Sequence, residues 1–492
     1  MSSSSAAASS VPAPSGSGQR FDLRPILVGV AVAASVGVLV QPRLVLVWVG
    51  VGAVVIGLFT RPTTLFMAGV ALTMFAGFWA RLGVPLPLHR VLLLVAIFAL
   101  LTGLPIGSAR AFRIRWRPEH LLICLTTLWV LHSAVVTGTL RSASGQAGLF
   151  DRLGIIPYLL FALAPLIVDS ESKRRLVLRV LTIAGVYLAL MAFLEGTGLK
   201  HLAWPSYIND PTVGISFERA RGPFVDSSAN GLALFASAVS SALLARRSRG
   251  IERFASVSVG LACLLATVLT LTRSVWLGVG AAVLVTMAAH RKLRKFVVPA
   301  VIGGVLLVGI MFQVVGGLRE SVDERASSNR SVWDRQNLNS AALAVVEDKP
   351  LTGVGWANFV NVAPEYLWMA RDYPLSGQGI DIHNFALRLM AEVGVPGFIL
   401  WIATFVMAMF GAVARRGPPE LDDWRWGLLA MVIMWFVVAL LTPGEFSYPT
   451  FVLWMWAGIT AAPYLRTRQR VRRTSAVLRT VVPSDRKNVI HG

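Results

Sequence analysis

From residue 25 onward the chain alternates long apolar runs with short polar turns. Runs such as Leu44–Phe59 and Phe254–Thr272 carry almost no charge and approach the length that crosses a hydrocarbon core. A window of about 17–20 residues places spans near 25–40, 44–60, 63–80, 90–105, 119–137, 154–169, 176–194, 229–245, 254–272, 274–289, 296–315, 386–413, 426–442 and 449–465. The pattern predicts an all-α membrane protein, a polytopic helical bundle of about 14 (about 12–14) transmembrane helices. One long polar interruption, residues 316–384, breaks the pattern. Inside it, the spacing of Val332, Leu338, Ala342 and Val345 predicts a short helix. Residues 1–24 open on "MSSSSAAASSVPAPSGSG", which is too polar to pack and lacks the basic and apolar regions of a signal peptide. We expect a disordered cytoplasmic tail over 1–24, the bundle over 25–465 and a basic cytoplasmic tail over 466–492.

Composition supports this division. Of 492 residues, 55% are hydrophobic and 14% charged, and the mean hydropathy of +0.66 excludes an ordinary soluble enzyme. A net charge of +21 would fit a nucleic-acid partner, but the basic residues sit in short clusters between apolar runs. That is how cytoplasmic loops sit beside anionic headgroups, so membrane lipids, and no nucleic acid, are the expected partners. With the N-terminus inside, Arg61, Arg110–Arg117, Lys173–Arg175, Arg246–Arg253, Arg291–Lys295 and Arg415–Arg425 all fall on the cytoplasmic side. Cys124 and Cys263 lie in apolar runs, where small buried apolar residues are expected rather than a disulfide or metal site.

The opposite side receives three polar pieces: the loop of 195–228, the tight turn at Arg273 and the long loop. Polar loops on an apolar scaffold are where chemistry concentrates. Arg273 either snorkels to the interface or clamps a phosphate, since a guanidinium offers several fixed donors to phosphate oxygens. The tetrapeptide Arg-Ser-Val-Trp that begins at Arg273 recurs as Arg330–Trp333, and Arg335 follows. Arg219 and Arg221 join the same basic set, against the plain alternative of solvated loop arginines. His383 and Asn384 open an apolar helical run, as a helix cap or with His383 as a general base or phosphate donor. No histidine pair has metal-ligand spacing, so no metal and no cofactor are expected. The turn "PLTGVGWANF" is not a P-loop, because no Gly-Lys-Ser/Thr follows. Trp356, Phe359, Tyr366, Trp368 and Tyr373 form either an interfacial belt or a platform for sugars or a lipid chain.

These residues resemble the O-antigen ligase and O-antigen polymerase superfamily of bacterial membrane glycosyltransferases. His383-Asn384, nine residues, then Gly394-Val395-Pro396-Gly397 looks like its His-Asn, nine-residue, Gly-x-x-Gly signature. Arg273-Ser-Val-Trp-Leu277 is similar to its Arg-x-x-x-Leu element. Arg330, Trp333 and Lys349-Pro350-Leu351-Thr352-Gly353-Val354-Gly355 resemble its Arg-rich loop helix and Pro-Leu-x-Gly-x-Gly turn. Gly222-Pro223-Phe224 with Asn230-Gly231 resembles its Gly-x-Phe and Asn segment, although "DSSANG" stands where the family usually has Asp/Asn-Pro-Asn. The likeness covers residues 215–400.

The resemblance implies a GT-C-like enzyme of the bacterial cytoplasmic membrane, multi-pass, with cytoplasmic termini and an extracytoplasmic active site. Implied are an undecaprenyl-pyrophosphate-linked glycan as donor, an acceptor glycan or lipid, and a chain-length regulator or flippase of the same pathway as partners. The implied reaction is metal-independent, inverting glycosyl transfer that polymerises or ligates polysaccharide. Arg273 and Arg330 with His383 would be catalytic, and Arg335, Arg221, Asn384 and Trp356 would bind pyrophosphate or glycan. Two enzyme-free alternatives remain at this level, a glycan transporter or flippase and an assembly partner. A transporter would place ionisable groups near mid-membrane, whereas His132 and Glu195 lie near span ends. A lipid-phosphate-sugar transferase would need a carboxylate in a first outer loop that here reads Gln41-Pro42-Arg43.

Overall fold

The computed structural model describes residues 62–84, 87–101, 117–152, 154–215, 217–314, 330–367, 382–414, 418–444 and 446–461. All lie in the unit Gly57–Gly492. The expected tails, the first two spans and parts of the long loop lie outside them. Helix α1 is Pro62–Leu72, α2 Leu88–Leu101, α3 Pro118–Val136, α4 Ala143–Ala147, α5 Ile155–Ile167, α6 Glu171–Gly196, α7 Ser227–Arg247 and α8 Gly250–Leu269. Helix α9 is Arg273–Ala289, α10 Val297–Val314, α11 Arg330–Asp348, α12 Phe359–Tyr366, α13 Phe385–Ala414, α14 Asp422–Leu440 and α15 Ser447–Ala461.

The all-helical expectation is borne out. Among the described residues seven helical stretches are long and apolar enough to cross a membrane: α3, Ser144–Ile167, α6, α7, α8, α13 and Pro419–Leu440. Three further apolar stretches are shorter, Thr63–Phe75, Leu88–Phe98 and Arg273–Ala289. Several helices turn bare apolar side chains outward, including Leu121, Leu125 and Leu128 on α3 and Phe254, Val257 and Leu261 on α8. A water-soluble surface does not tolerate such stripes, and hydrocarbon accommodates them. The chain is an integral membrane protein. Cys263 is buried against the Gly185 carbonyl, but Cys124 is exposed on one of these outward faces, not buried as expected.

The helices present two unlike ends. At one, the start of α6, the end of α7, the start of α8 and the start of α14 are laced by ion pairs. Arg247 lies 3.3 Å from Glu171 and 3.5 Å from Asp423, and Arg179 lies 2.8 Å from Glu252. This end carries the described basic clusters. The other end gathers the end of α6, the starts of α7 and α9, the start of α13 and the helices of the long loop.

The long loop is attached there by a break in α13. Gly394 leaves the helical region (φ 74, ψ 170), and Pro396 restarts the helix within its next turn, where a missing N–H matters least. The break releases the carbonyls of Ala391, Glu392 and Val393. Val354 N–H and Gly355 N–H donate to the first two at 2.9 Å each, and the Trp129 indole donates to Val393 at 2.9 Å. In return Val395 N–H donates to Pro350 at 2.8 Å. The "PLTGVG" turn and the "GVPG" break are therefore one paired backbone structure. Above it, Leu338, Ala342 and Val345 of α11 pack with Val354, Phe359, Ile382, Leu387 and Ala391 into a small core. Each large apolar side chain fully buried there contributes about 1.5–3 kcal/mol.

A Cβ at Gly394 would overlap the Leu351 carbonyl, and the residue's positive φ disfavours any L side chain. Gly394→Ala is expected to destabilise the loop by about 1–3 kcal/mol. Hydrogen exchange on the full-length protein in nanodiscs should rise across residues 338–363 while α6–α8 stay protected.

Candidate active site

Two residues flanking His383 are fixed by the loop core and the helix start. Ile382 is fully buried in the core, and Asn384 Oδ1 accepts the Leu387 N–H at 3.1 Å as an N-cap. His383 is half-buried between them. One turn on, Arg388 and Glu392 form a buried ion pair with Nε 3.3 Å from Oε1. Glu392 thus holds Arg388 with its side chain and the docked turn with its carbonyl. Phe385 stacks edge-on against Trp401 and Trp435, with centroids 4.8 and 5.7 Å away, which fixes this helix start against α14.

Arg273 is the first residue of α9 and is exposed. Its neighbour Thr272 ties three segments together. The Thr272 hydroxyl lies 2.8 Å from the Ser227 hydroxyl and 2.8 Å from the Thr270 carbonyl, and Arg219 Nη1 reaches it at 3.5 Å. Arg335, on the first turns of α11, comes within electrostatic reach of Arg273. Desolvation, followed by the positive charge of Arg273, lowers the Arg335 pKa. Two guanidinium groups from distant segments thereby lie within electrostatic range of each other at this end of the bundle. Like charges repel, so the arrangement favours an anion that bridges them. Arg330 opens α11; its side chain lies outside the described residues.

Two residues expected to bind substrate are placed otherwise. Arg221 is fully buried, and its guanidinium donates to the carbonyls of Val213 at 2.6 Å and of Ile208 and Asp210 at 2.7 Å each. Its ring contact is Phe217, 4.8 Å from the guanidinium carbon. The Arg221 and Gly222 N–H groups donate in turn to Glu195 at 2.9 and 2.8 Å, and Asn230 Nδ2 donates to the Ala220 carbonyl at 3.0 Å. Arg221 therefore shapes the 208–222 loop and has little left to offer a phosphate. Trp356 is 2% exposed, with its indole donating to Gly145 at 3.1 Å and its N–H to Ser133 Oγ at 3.0 Å. No sugar can stack on it. Phe359 is likewise in the loop core, and Tyr366 donates to Asp348 at 2.5 Å, while Trp368 and Tyr373 lie outside the described residues. The expected aromatic platform is a structural anchor at Trp356 and Phe359.

The segment that carries Arg273, Arg335, the paired turn and His383 also matches known proteins. Residues 257–402 match the family described as O-antigen ligase. This part of the chain is similar to the O-antigen ligase family. The chain is also similar to the exopolysaccharide production protein ExoQ of Rhizobium meliloti (strain 1021), with 28% identity over 187 residues, 36% of this chain and 41% of that protein. The chain thus spans well under half the length of that relative. Within the O-antigen ligase region lie the break, the docked turn and the arginine pair; Arg221, Glu195 and Asn230 lie outside it.

Sequence reasoning passed over Asp226, Arg152, Arg388 and Glu392. Asp226 is detectable as the acidic residue before "SSANG", an N-cap signal, whereas the Arg388–Glu392 pair looks like surface i,i+4 charge until α13 is known to be covered.

Replacing Arg221 with Ala removes three buried carbonyl partners and should destabilise the loop by about 3–5 kcal/mol. The expected readout is low abundance and a lowered unfolding temperature in detergent. Arg273→Ala, at an exposed position, should leave both unchanged.

Proposed function

We propose that the protein is a membrane glycosyltransferase that takes a glycan from undecaprenyl pyrophosphate at the outer leaflet and joins it to an acceptor sugar. The observation that carries this reading is the Arg273–Arg335 pair at the exposed end of an O-antigen ligase-family segment. When the bond between the anomeric carbon and the phosphate oxygen breaks, negative charge develops on the departing pyrophosphate. Guanidinium groups already fixed beside it stabilise that charge without reorganising, and the partly dry surroundings strengthen the effect. Positive charge is thus supplied by arginines, and the reaction is written without a metal.

The acceptor hydroxyl oxygen forms the new bond on the face of the anomeric carbon opposite the leaving group, which inverts the configuration. His383 takes the hydroxyl proton. Its seat between Ile382 and the Asn384 cap sets its backbone, as orientation of a general base requires. Asn384 acts as a cap in this scheme, and Arg330 remains assigned to the clamp by its place in the loop helix. The ion-paired basic end is read as cytoplasmic, which puts the arginine pair outside. The name of the Rhizobium relative favours an exopolysaccharide as product.

Arg273→Ala and Arg335→Ala should each lower turnover by about 10²–10³-fold, the equivalent of about 2–4 kcal/mol of lost charge stabilisation. His383→Ala should fall similarly at equal abundance. The decisive experiment compares lipid-linked and polymeric glycans in cells lacking the gene and complemented with each variant. Single repeats accumulating on the lipid carrier identify a polymerase, and full-length chains left on the carrier identify a ligase. An unchanged glycan profile in the deletion strain would overturn the enzyme reading.

A further inference from the structure

At the start of α7 lies a cavity of about 470 Å³, within the range of about 300–1,000 Å³ typical of small-molecule sites. Its walls include Arg152, Asp226, Phe78, Phe224, Tyr448 and Ile215. Asp226 connects it to the arginines, because its neighbour Ser227 meets Thr272, the residue before Arg273.

The walls are rigid. Phe78 stacks on Tyr207 with centroids 4.5 Å apart, and Phe224 leans on Tyr448 at 5.8 Å. Arg152 follows a buried network: Arg90 Nη2 lies 2.6 Å from Asp151, His89 Nε2 lies 3.6 Å from it, and the Trp79 indole donates to His89 Nδ1 at 2.7 Å. Asp226 Oδ1 accepts the N–H groups of Ser228 and Ala229 at 2.7 and 3.0 Å, and its second oxygen has no hydrogen-bond partner among the described residues. Burial raises the Asp226 pKa, against the N–H groups of Ala229 and Ser228 and the charges of Arg219 and Arg152.

We propose that this cavity binds a sugar ring of the glycan substrate, with the second oxygen of Asp226 accepting a sugar hydroxyl and the aromatic walls facing the ring. The chemistry discriminates among occupants. A carboxylate on the wall repels phosphate, and a lipid chain would leave the second oxygen of Asp226 facing no donor. A sugar offers hydroxyl donors to Asp226 and an apolar ring face to the aromatics. The inference rests on the reading of Arg273 and Arg335 as the pyrophosphate end. The ring belongs to the acceptor or is the donor's first sugar.

The test uses full-length protein in nanodiscs and two probes. One is the water-soluble glycan released by mild acid from the lipid carrier of cells lacking the gene. The other is undecaprenyl pyrophosphate without sugar. Asp226→Asn keeps the cap acceptor and removes the charge, and Ile215→Trp, at a position 56% exposed, narrows the cavity without entering the core. Both variants should bind the released glycan at least tenfold more weakly than wild type while binding the sugarless lipid unchanged. Arg273→Ala should show the converse pattern. In transfer assays, a raised KM for the acceptor alone seats the acceptor sugar in the cavity, and a raised KM for the donor alone seats the donor sugar; either supports the proposal. Unchanged glycan binding in both variants, or none in wild type, overturns it. Failure of wild type to bind the sugarless lipid would instead overturn the arginine reading and leave the cavity result standing.

Discussion

Backbone groups released where α13 breaks at Gly394 must find partners in surroundings with little water, and the partners they find determine where the loop sits. The carbonyls of Ala391, Glu392 and Val393 are taken by the 354–355 backbone and the Trp129 indole. That exchange fixes the end of α11 through Pro350, and through α11 it fixes the height of Arg335. It also frees residues 385–393 to run as a separate short helix whose start carries His383. Position 394 thereby bears on the spacing of Arg335 and His383.

The second constraint is repulsion. Burial, and after it the charge of Arg273, lower the Arg335 pKa, so desolvation and like charge both work against the loop's docking. The docking interactions must outweigh that cost in the unliganded protein, and the small core of Leu338, Ala342, Val345 and Phe359 is where the compensation lies. An anion between the guanidinium groups would convert repulsion into mutual attraction to a shared centre.

The bundle was legible in the sequence because hydrocarbon imposes long charge-free runs, and the spans expected at 119–137, 176–194, 229–245 and 254–272 differ from α3, α6, α7 and α8 by only a few residues. The loop helix was legible from its 3.6-residue period. The pairing of "PLTGVG" with "GVPG" was not, because backbone-to-backbone docking leaves no compositional trace beyond glycines. The fates of Trp356 and Arg221 were hidden for a related reason: an aromatic or an arginine in a polar loop reads identically whether its polar atoms face solvent or another segment. For Trp356 the deciding partner, Gly145, lies 211 residues away.

Arginines in such a loop separate by where their donors go. A guanidinium has five N–H donors and no acceptor, so a buried one must be surrounded by oxygen atoms of the chain itself. Arg221 meets most of that condition with three carbonyls on its two terminal nitrogens, while its buried Nε has no partner among the described residues. Arg273 and Arg335 are exposed and lie beside another cation, where an oxyanion is the favoured neighbour. Exposure alone would describe any surface arginine. Exposure combined with the nearby charge of a second arginine is what the proposed ligand role of this pair rests on.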